Sequence, residues 1–148
     1  MVPVRCGYRP GMAETQDGTE LHPVTRELAG GRNFAAISTL LPSGRIQTQY
    51  IWVGTDGRRL FVNTEPHRQK FQNMERDPRV TLAIRDEENP YRYAEVRGRV
   101  VATERGQKAR DQIDELSQKY EGNPYPPEQI TTERVSVWIE PERQTIAG

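Results

Sequence analysis

The sequence predicts a mainly β, α+β fold: a six-stranded antiparallel barrel with short appended helices. Three observations carry that expectation. Strand-like runs are bunched early in the chain, tight turns separate them, and there is no βαβ alternation of the kind that builds a doubly wound sheet. At 148 residues the chain has room for one ordinary domain. That domain is expected over residues 21–148, with residues 1–20 as a disordered lead-in and Met12 as an alternative start. Hydrophobic residues are 34% of the chain, a modest supply that suits a fold gaining burial by self-association.

Taken in order, residues 21–29 read as a short helix with Val24 and Leu28 one turn apart, stopped by Gly30-Gly31. Residues 33–41 and 45–54 read as strands around a Pro42-Ser43-Gly44 turn, and Asp56-Gly57 turns the chain into a third strand at 59–63. These three strands are expected to form a meander. Thr64-Glu65-Pro66 supplies a cap residue and a first-turn proline for a helix burying Phe71 and Met74, which Asp77-Pro78 ends. Residues 79–85 alternate Val80, Leu82 and Ile84 with polar neighbours, and residues 91–102 form a longer strand in which Gly98 marks a bulge, a bend or a close backbone approach. Thr103 is placed to cap a helix to Tyr120, with Ala109, Ile113, Leu116 and Tyr120 on one face and Gly122 beyond it. A proline-rich loop at 123–127 then leads to a last strand at 132–141, with Val135, Val137 and Ile139 on one side.

The charge excludes some classes of function. Twenty-one Lys+Arg balance 21 Asp+Glu, which argues against a nucleic-acid binder or a polybasic membrane anchor. No apolar run reaches the ~20 residues of a membrane span, and the N-terminus lacks the pattern of a signal peptide, so a cytoplasmic location is expected. Cys6 is the single cysteine, and His22 and His67 have no ligand partners at metal spacing, so neither a disulfide framework nor a metal site is expected. Dinucleotide, P-loop and zinc-protease motifs and the G-x-S-x-G elbow are absent. No catalytic side chain can be named from the sequence.

The even balance conceals a segregation. Residues 58–110 hold 13 basic side chains against eight acidic ones, an excess of five. Within that window residues 63–73 feed a strand directly into a helix start carrying Arg68 and Lys70. Free N–H groups, the positive end of the helix dipole and two cations together suit one phosphate.

At this stretch the sequence resembles the flavin/deazaflavin oxidoreductase superfamily of split β-barrels, related to pyridoxamine 5′-phosphate oxidase. The resemblance spans residues 34–143. It is carried by Trp52 with Asp56-Gly57 and Leu60-x-Val62-x-Thr64, by Arg68-Gln69-Lys70-x-x-Asn73-x-x-x-Asp77-Pro78-Arg79-Val80, and by Asn89-Pro90-Tyr91-Arg92-Tyr93-x-Glu95-Val96-x-Gly98. The blocks resemble most the branch that uses the deazaflavin F420. The resemblance implies a homodimer with cofactor at the subunit interface. It implies that Arg68 and Lys70 hold the cofactor phosphate, with Asn63, Thr64 and Gln69 nearby, and that Asn73 fixes the helix. Gln49, Tyr50, Ile51 and Trp52 would lie along the ring system, where Gln49 and Tyr50 are bulkier than the small or proline residues frequent in the family. The implied activity is hydride transfer between F420 and an unsaturated small molecule; the alternatives are an FMN enzyme of the oxidase type and a non-catalytic binding module for a deazaflavin or tetrapyrrole.

Overall fold

The computed structural model describes residues 13–148. The expected lead-in at 1–20 therefore lies partly outside the described residues, and the part within them is not disordered: β1 (Glu14–Asp17) pairs antiparallel with the end of the last strand, Glu14 opposite Ile146. Its residues are polar and exposed or half-buried, so hydropathy gives no sign of it; the backbone ladder holds it. Then follow α1 (Pro23–Gly30), β2 (Ala35–Leu40), β3 (Ile46–Ile51), β4 (Gly54–Thr55), β5 (Leu60–Thr64), α2 (Gln69–Arg76), β6 (Arg79–Arg85), β7 (Tyr93–Arg105), α3 (Gln107–Glu121) and β8 (Val135–Ala147), with one 3-10 turn at Pro127–Gln129.

The eight strands form a single antiparallel sheet in the order β3-β2-β6-β7-β8-β5-β4, with β1 on β8. This is the antiparallel α+β split barrel the sequence predicts, with eight strands in place of six. The meander is corrected. The run expected at 45–54 breaks at Trp52-Val53, and the Asp56-Gly57 hairpin joins β4 to β5 at the far end of the sheet from β3. Gly54 explains the break: a Cβ there would lie 2.4 Å from the Phe61 ring, so the chain passes too close to β5 to carry a side chain.

The long strands β7 and β8 bend together where Gly98 faces Pro141, at a shift of register. A Cβ on Gly98 would fall 2.3 Å from the Glu140 carbonyl, so bulge and close approach coincide. One half of β8 thereby pairs with β5 and the other with β1. The first half is buried on both faces. Val135, Val137 and Ile139 enter the main core with Phe71, Leu82 and Val96, while Trp138 joins Phe61, Ile113, Leu116 and Tyr120 beneath α3.

Two helix starts differ from expectation. β7 runs on through Arg105, so Gly106 with φ of 76°, not Thr103, precedes α3. A strand-to-helix turn at positive φ favours glycine, and Thr103 stays in the ladder opposite Val137. Likewise α2 begins at Gln69 after Arg68, and Pro66 sits in the preceding turn, where the Arg68 N–H donates to the Glu65 carbonyl at 3.0 Å. No helix among the described residues is long and apolar enough to cross a membrane.

Candidate functional site

The ends of β3 and β5, the start of α2, one face of α3 and the residue preceding β8 converge on a cleft of about 260 Å³. Of the residues the sequence singles out, Tyr50, Ile51, Trp52, Asn63, Thr64, Arg68 and Lys70 line it. Gln49, Gln69 and Asn73 do not. Gln49 is exposed on β3, and Gln69 Nε2 donates to Asn73 Oδ1 at 2.8 Å. Asn73 is buried, and its Nδ2 donates to Thr39 Oγ1 and to Gln47 Oε1, both at 3.0 Å. Asn73, oriented by Gln69, thus ties α2 to β2 and β3 and acts on the cleft through the placement of α2.

One end of the cleft is cationic, and its key member was not read from the sequence. Arg134, 7% exposed, reaches in beside Arg68 and Lys70. Its Nε donates to Asn63 Oδ1 at 2.8 Å and its Nη2 to the Asn63 carbonyl at 3.2 Å. Beneath it lies Glu65, 1% exposed, whose Oε2 accepts from the N–H and the hydroxyl of both Thr131 and Thr132 at 2.8–3.1 Å. Its Oε1 faces Arg134 at 3.4 Å and Arg68 at 3.6 Å. Burial by itself would raise the Glu65 pKa, but the Thr132 and Thr131 hydrogen bonds and the Arg134 charge outweigh it and hold the carboxyl at about 2. The carboxylate thus fastens the loop before β8 to the β5–α2 turn and sets Arg134 in place.

Three cations against this one carboxylate leave a formal excess of two positive charges. Lys70 has no acidic partner among the described residues, and burial, followed by the Arg68 and Arg134 charges, pushes its ammonium below the usual range. Thr64 adds a buried hydroxyl without a hydrogen-bond partner among the described residues. A buried polar group left unpaired costs about 1–3 kcal/mol, so this end of the cleft is built for something that accepts hydrogen bonds and carries negative charge. A phosphate fits these residues.

Beside the cations stands an aromatic wall, joined to them where Arg134 lies over the Tyr125 ring at 5.2 Å. Trp52 stacks on Tyr120 with centroids 5.3 Å apart and planes 4° from parallel, and Tyr125 meets Trp52 edge-on at 6.3 Å. Helix α3 holds this wall. Tyr120 Oη donates to the Asn33 carbonyl at 2.6 Å and accepts from the Val53 N–H at 3.2 Å, and burial raises its pKa to about 12. Lys119 Nζ donates to the carbonyls of Ala29 and Val53 at 2.8 and 2.6 Å, and burial lowers its pKa to about 8. Asp114 accepts from the Tyr125 N–H at 3.0 Å. Neither histidine lines the cleft. His22 Nδ1 caps α1 by accepting from the Val24 N–H at 3.0 Å, and His67 is exposed in the turn before α2.

Comparison with known proteins gives the family and the fold. A family model described as pyridoxamine 5′-phosphate oxidase matches residues 21–146. Among solved structures, an F420 reductase is 28% identical, with a TM-score of 0.69 over 80% of this chain and 94% of that one. A conserved hypothetical protein from Mycobacterium tuberculosis is 20% identical, with a TM-score of 0.66 over 89% of each chain. The heme storage protein HutZ from Vibrio cholerae is 16% identical, with a TM-score of 0.60 over 87% of this chain and 96% of that one. The last two show the fold alone. No curated protein matches the sequence.

Proposed function

The chain belongs to the pyridoxamine 5′-phosphate oxidase family, and from that premise we propose an F420-dependent oxidoreductase acting on a small unsaturated molecule. The observation that carries this reading is the cationic end of the cleft: Arg68, Lys70 and Arg134 around the unpartnered Thr64 hydroxyl. Those four groups would hold the cofactor phosphate. The end of β3 at Tyr50 and Ile51, with Trp52 just beyond it, would orient the ring system, and the Trp52–Tyr120–Tyr125 wall would exclude water from one side of it. When bound, F420 supplies hydride transfer; the protein supplies orientation and electrostatics. The preference for F420 rests on the 28% identity to an F420 reductase.

FMN is the second reading, because two excess positive charges match a dianionic phosphomonoester. A homodimer is part of the proposal. Among the described residues strand β3 is an unpaired sheet edge, on which Ile46 is 70% and Tyr50 83% exposed, an arrangement that a second copy would bury at the open side of the cleft. Titration of the purified protein with F420 and with FMN, followed by absorbance and fluorescence, tests the cofactor. Micromolar F420 binding and turnover with reduced F420 are expected. FMN binding without F420 binding would move the assignment to the FMN reading, and binding of neither would end both.

A further inference from the structure

Beyond Phe34 and Tyr50, which the two share, the cleft continues into a second compartment of about 420 Å³. Its floor is flat and small: Ala36 on β2 stands directly opposite Ala83 on β6, so two methyl groups occupy the centre of the sheet face. Its sides are aromatic. Phe34, Tyr50 and Tyr93 all reach it, and all three are partly or largely exposed. Two alanines flanked by exposed rings make a slot for a planar group, since stacked and edge-on ring contacts each contribute about 0.5–1.5 kcal/mol beyond area burial.

The compartment has two charged lining residues, Arg85 and Glu87. Arg85 stands opposite Tyr93 in the β6–β7 register, on the slot side of the sheet. Glu87 follows at the end of β6, its backbone N–H fixed by Asn33 Oδ1 at 2.9 Å. The two side chains make no ion pair with each other, and neither pairs with any other described residue, whereas the adjacent Arg92 is held by Glu27 and Asp86. A cation and an anion thus flank one apolar slot while both remain uncommitted.

We propose that this compartment binds a planar ring carrying both a carboxylate and an amino group, the carboxylate on Arg85 and the ammonium on Glu87, and that it is the substrate side of the cleft. The substrate role rests on the function proposed above; the binding of the ring does not. Charge pairing in an open slot selects among ligands more than it adds raw affinity, so the proposal is a statement about rank order.

Three probes test it by calorimetry on the full chain: 3-(aminomethyl)benzoate, benzoate and benzylamine. The zwitterion is expected to bind at least fivefold tighter than either singly charged compound. Arg85→Gln should bring it down to the affinity of benzylamine, and Glu87→Gln to that of benzoate. Ala83→Leu, which fills the floor, should weaken all three at least tenfold, while F420 and FMN affinities change less than twofold in every variant. Equal binding of the three probes, no binding of any, or unchanged binding in Ala83→Leu would overturn the proposal. Should Ala83→Leu fail to fold, the two exposed-residue variants decide it alone. Loss of cofactor binding in the unmodified chain would instead count against the proposed function and leave the probe ranking standing.

Discussion

The two ends of the cleft are built on opposite plans. At the cationic end Arg134 and Glu65 are buried, each hydrogen-bonded several times to backbone and side chains of β5 and the loop before β8. Its geometry is fixed before any ligand arrives. At the far end, past the Trp52 wall, Phe34, Tyr50 and Tyr93 stand exposed on a sheet face whose edge strand has no partner among the described residues. Charge has to be placed in advance because reorganising a buried ion is costly, whereas exposed rings gain from whatever covers them. The contrast teaches that this chain fixes the position of charge at one end through buried hydrogen bonds and leaves apolar ring surface open at the other.

The largest expected effect breaks the cationic end at its root. Glu65→Ala should destabilise the fold by about 3–5 kcal/mol in urea unfolding, since it strands Arg134 in the interior and frees the Thr131-Thr132 loop; a loss below about 1 kcal/mol would show that the end is not preorganised. Next, Arg68→Ala with Lys70→Ala should weaken cofactor binding by about 2–5 kcal/mol. Stability should change by less than about 1 kcal/mol, because Lys70 meets only like charges and the half-exposed Arg68 leaves Glu65 still paired with Arg134. A matching fall in thermal midpoint would contradict the separation of binding from folding.

Glu65 also sets an acid limit. Its folded pKa, near 2, lies below the ordinary 4.5, so its contribution is complete above about pH 4.5 and is lost as pH falls toward 2. The span corresponds to about 3–4 kcal/mol. Urea unfolding of the parent protein should therefore steepen in pH dependence between pH 4.5 and 2, and Glu65→Gln should flatten that segment. The smallest effect sharpens the other half of the contrast. Tyr50→Ser, at a side chain 83% exposed, should change monomer stability by less than about 0.5 kcal/mol while reducing burial-dependent self-association in sedimentation. A large loss of monomer stability would mean that the aromatic end is as structural as the cationic one.

Much of the frame was legible in the sequence because periodicity is a local signal. The alternation of Val80, Leu82 and Ile84, the α3 face of Ala109, Ile113, Leu116 and Tyr120, and the Val135, Val137 and Ile139 row are all buried as their spacing requires. Arg68 and Lys70 were legible as well, since strand, turn and helix start are contiguous. Arg134 was not. It lies 66 residues beyond Arg68, and only the β5–β8 pairing, Thr64 opposite Val135, carries it to the same cleft. Gln69 and Asn73 share a motif with Lys70 but line no part of the cleft: Gln69 bonds Asn73, and Asn73 fixes the helix on Thr39 of β2 and Gln47 of β3. The β3-to-β4 break escaped notice because nothing in the local pattern records that Phe61 approaches Gly54 from another strand.

The sequence by itself determined the antiparallel α+β character, most helix and strand cores, and a cationic strand-to-helix turn, all of which follow from hydropathy period, turn residues and charge within a dozen positions. Only the tertiary structure decided which strands become neighbours, that Glu65 is buried among four hydrogen-bond donors, and that two alanines from β2 and β6 form one flat floor. The reason is physical. Local patterns report which face of an element is apolar, but a site of this kind is assembled by strand pairing across long chain separations, and its energetics appear only once those partners exclude water together.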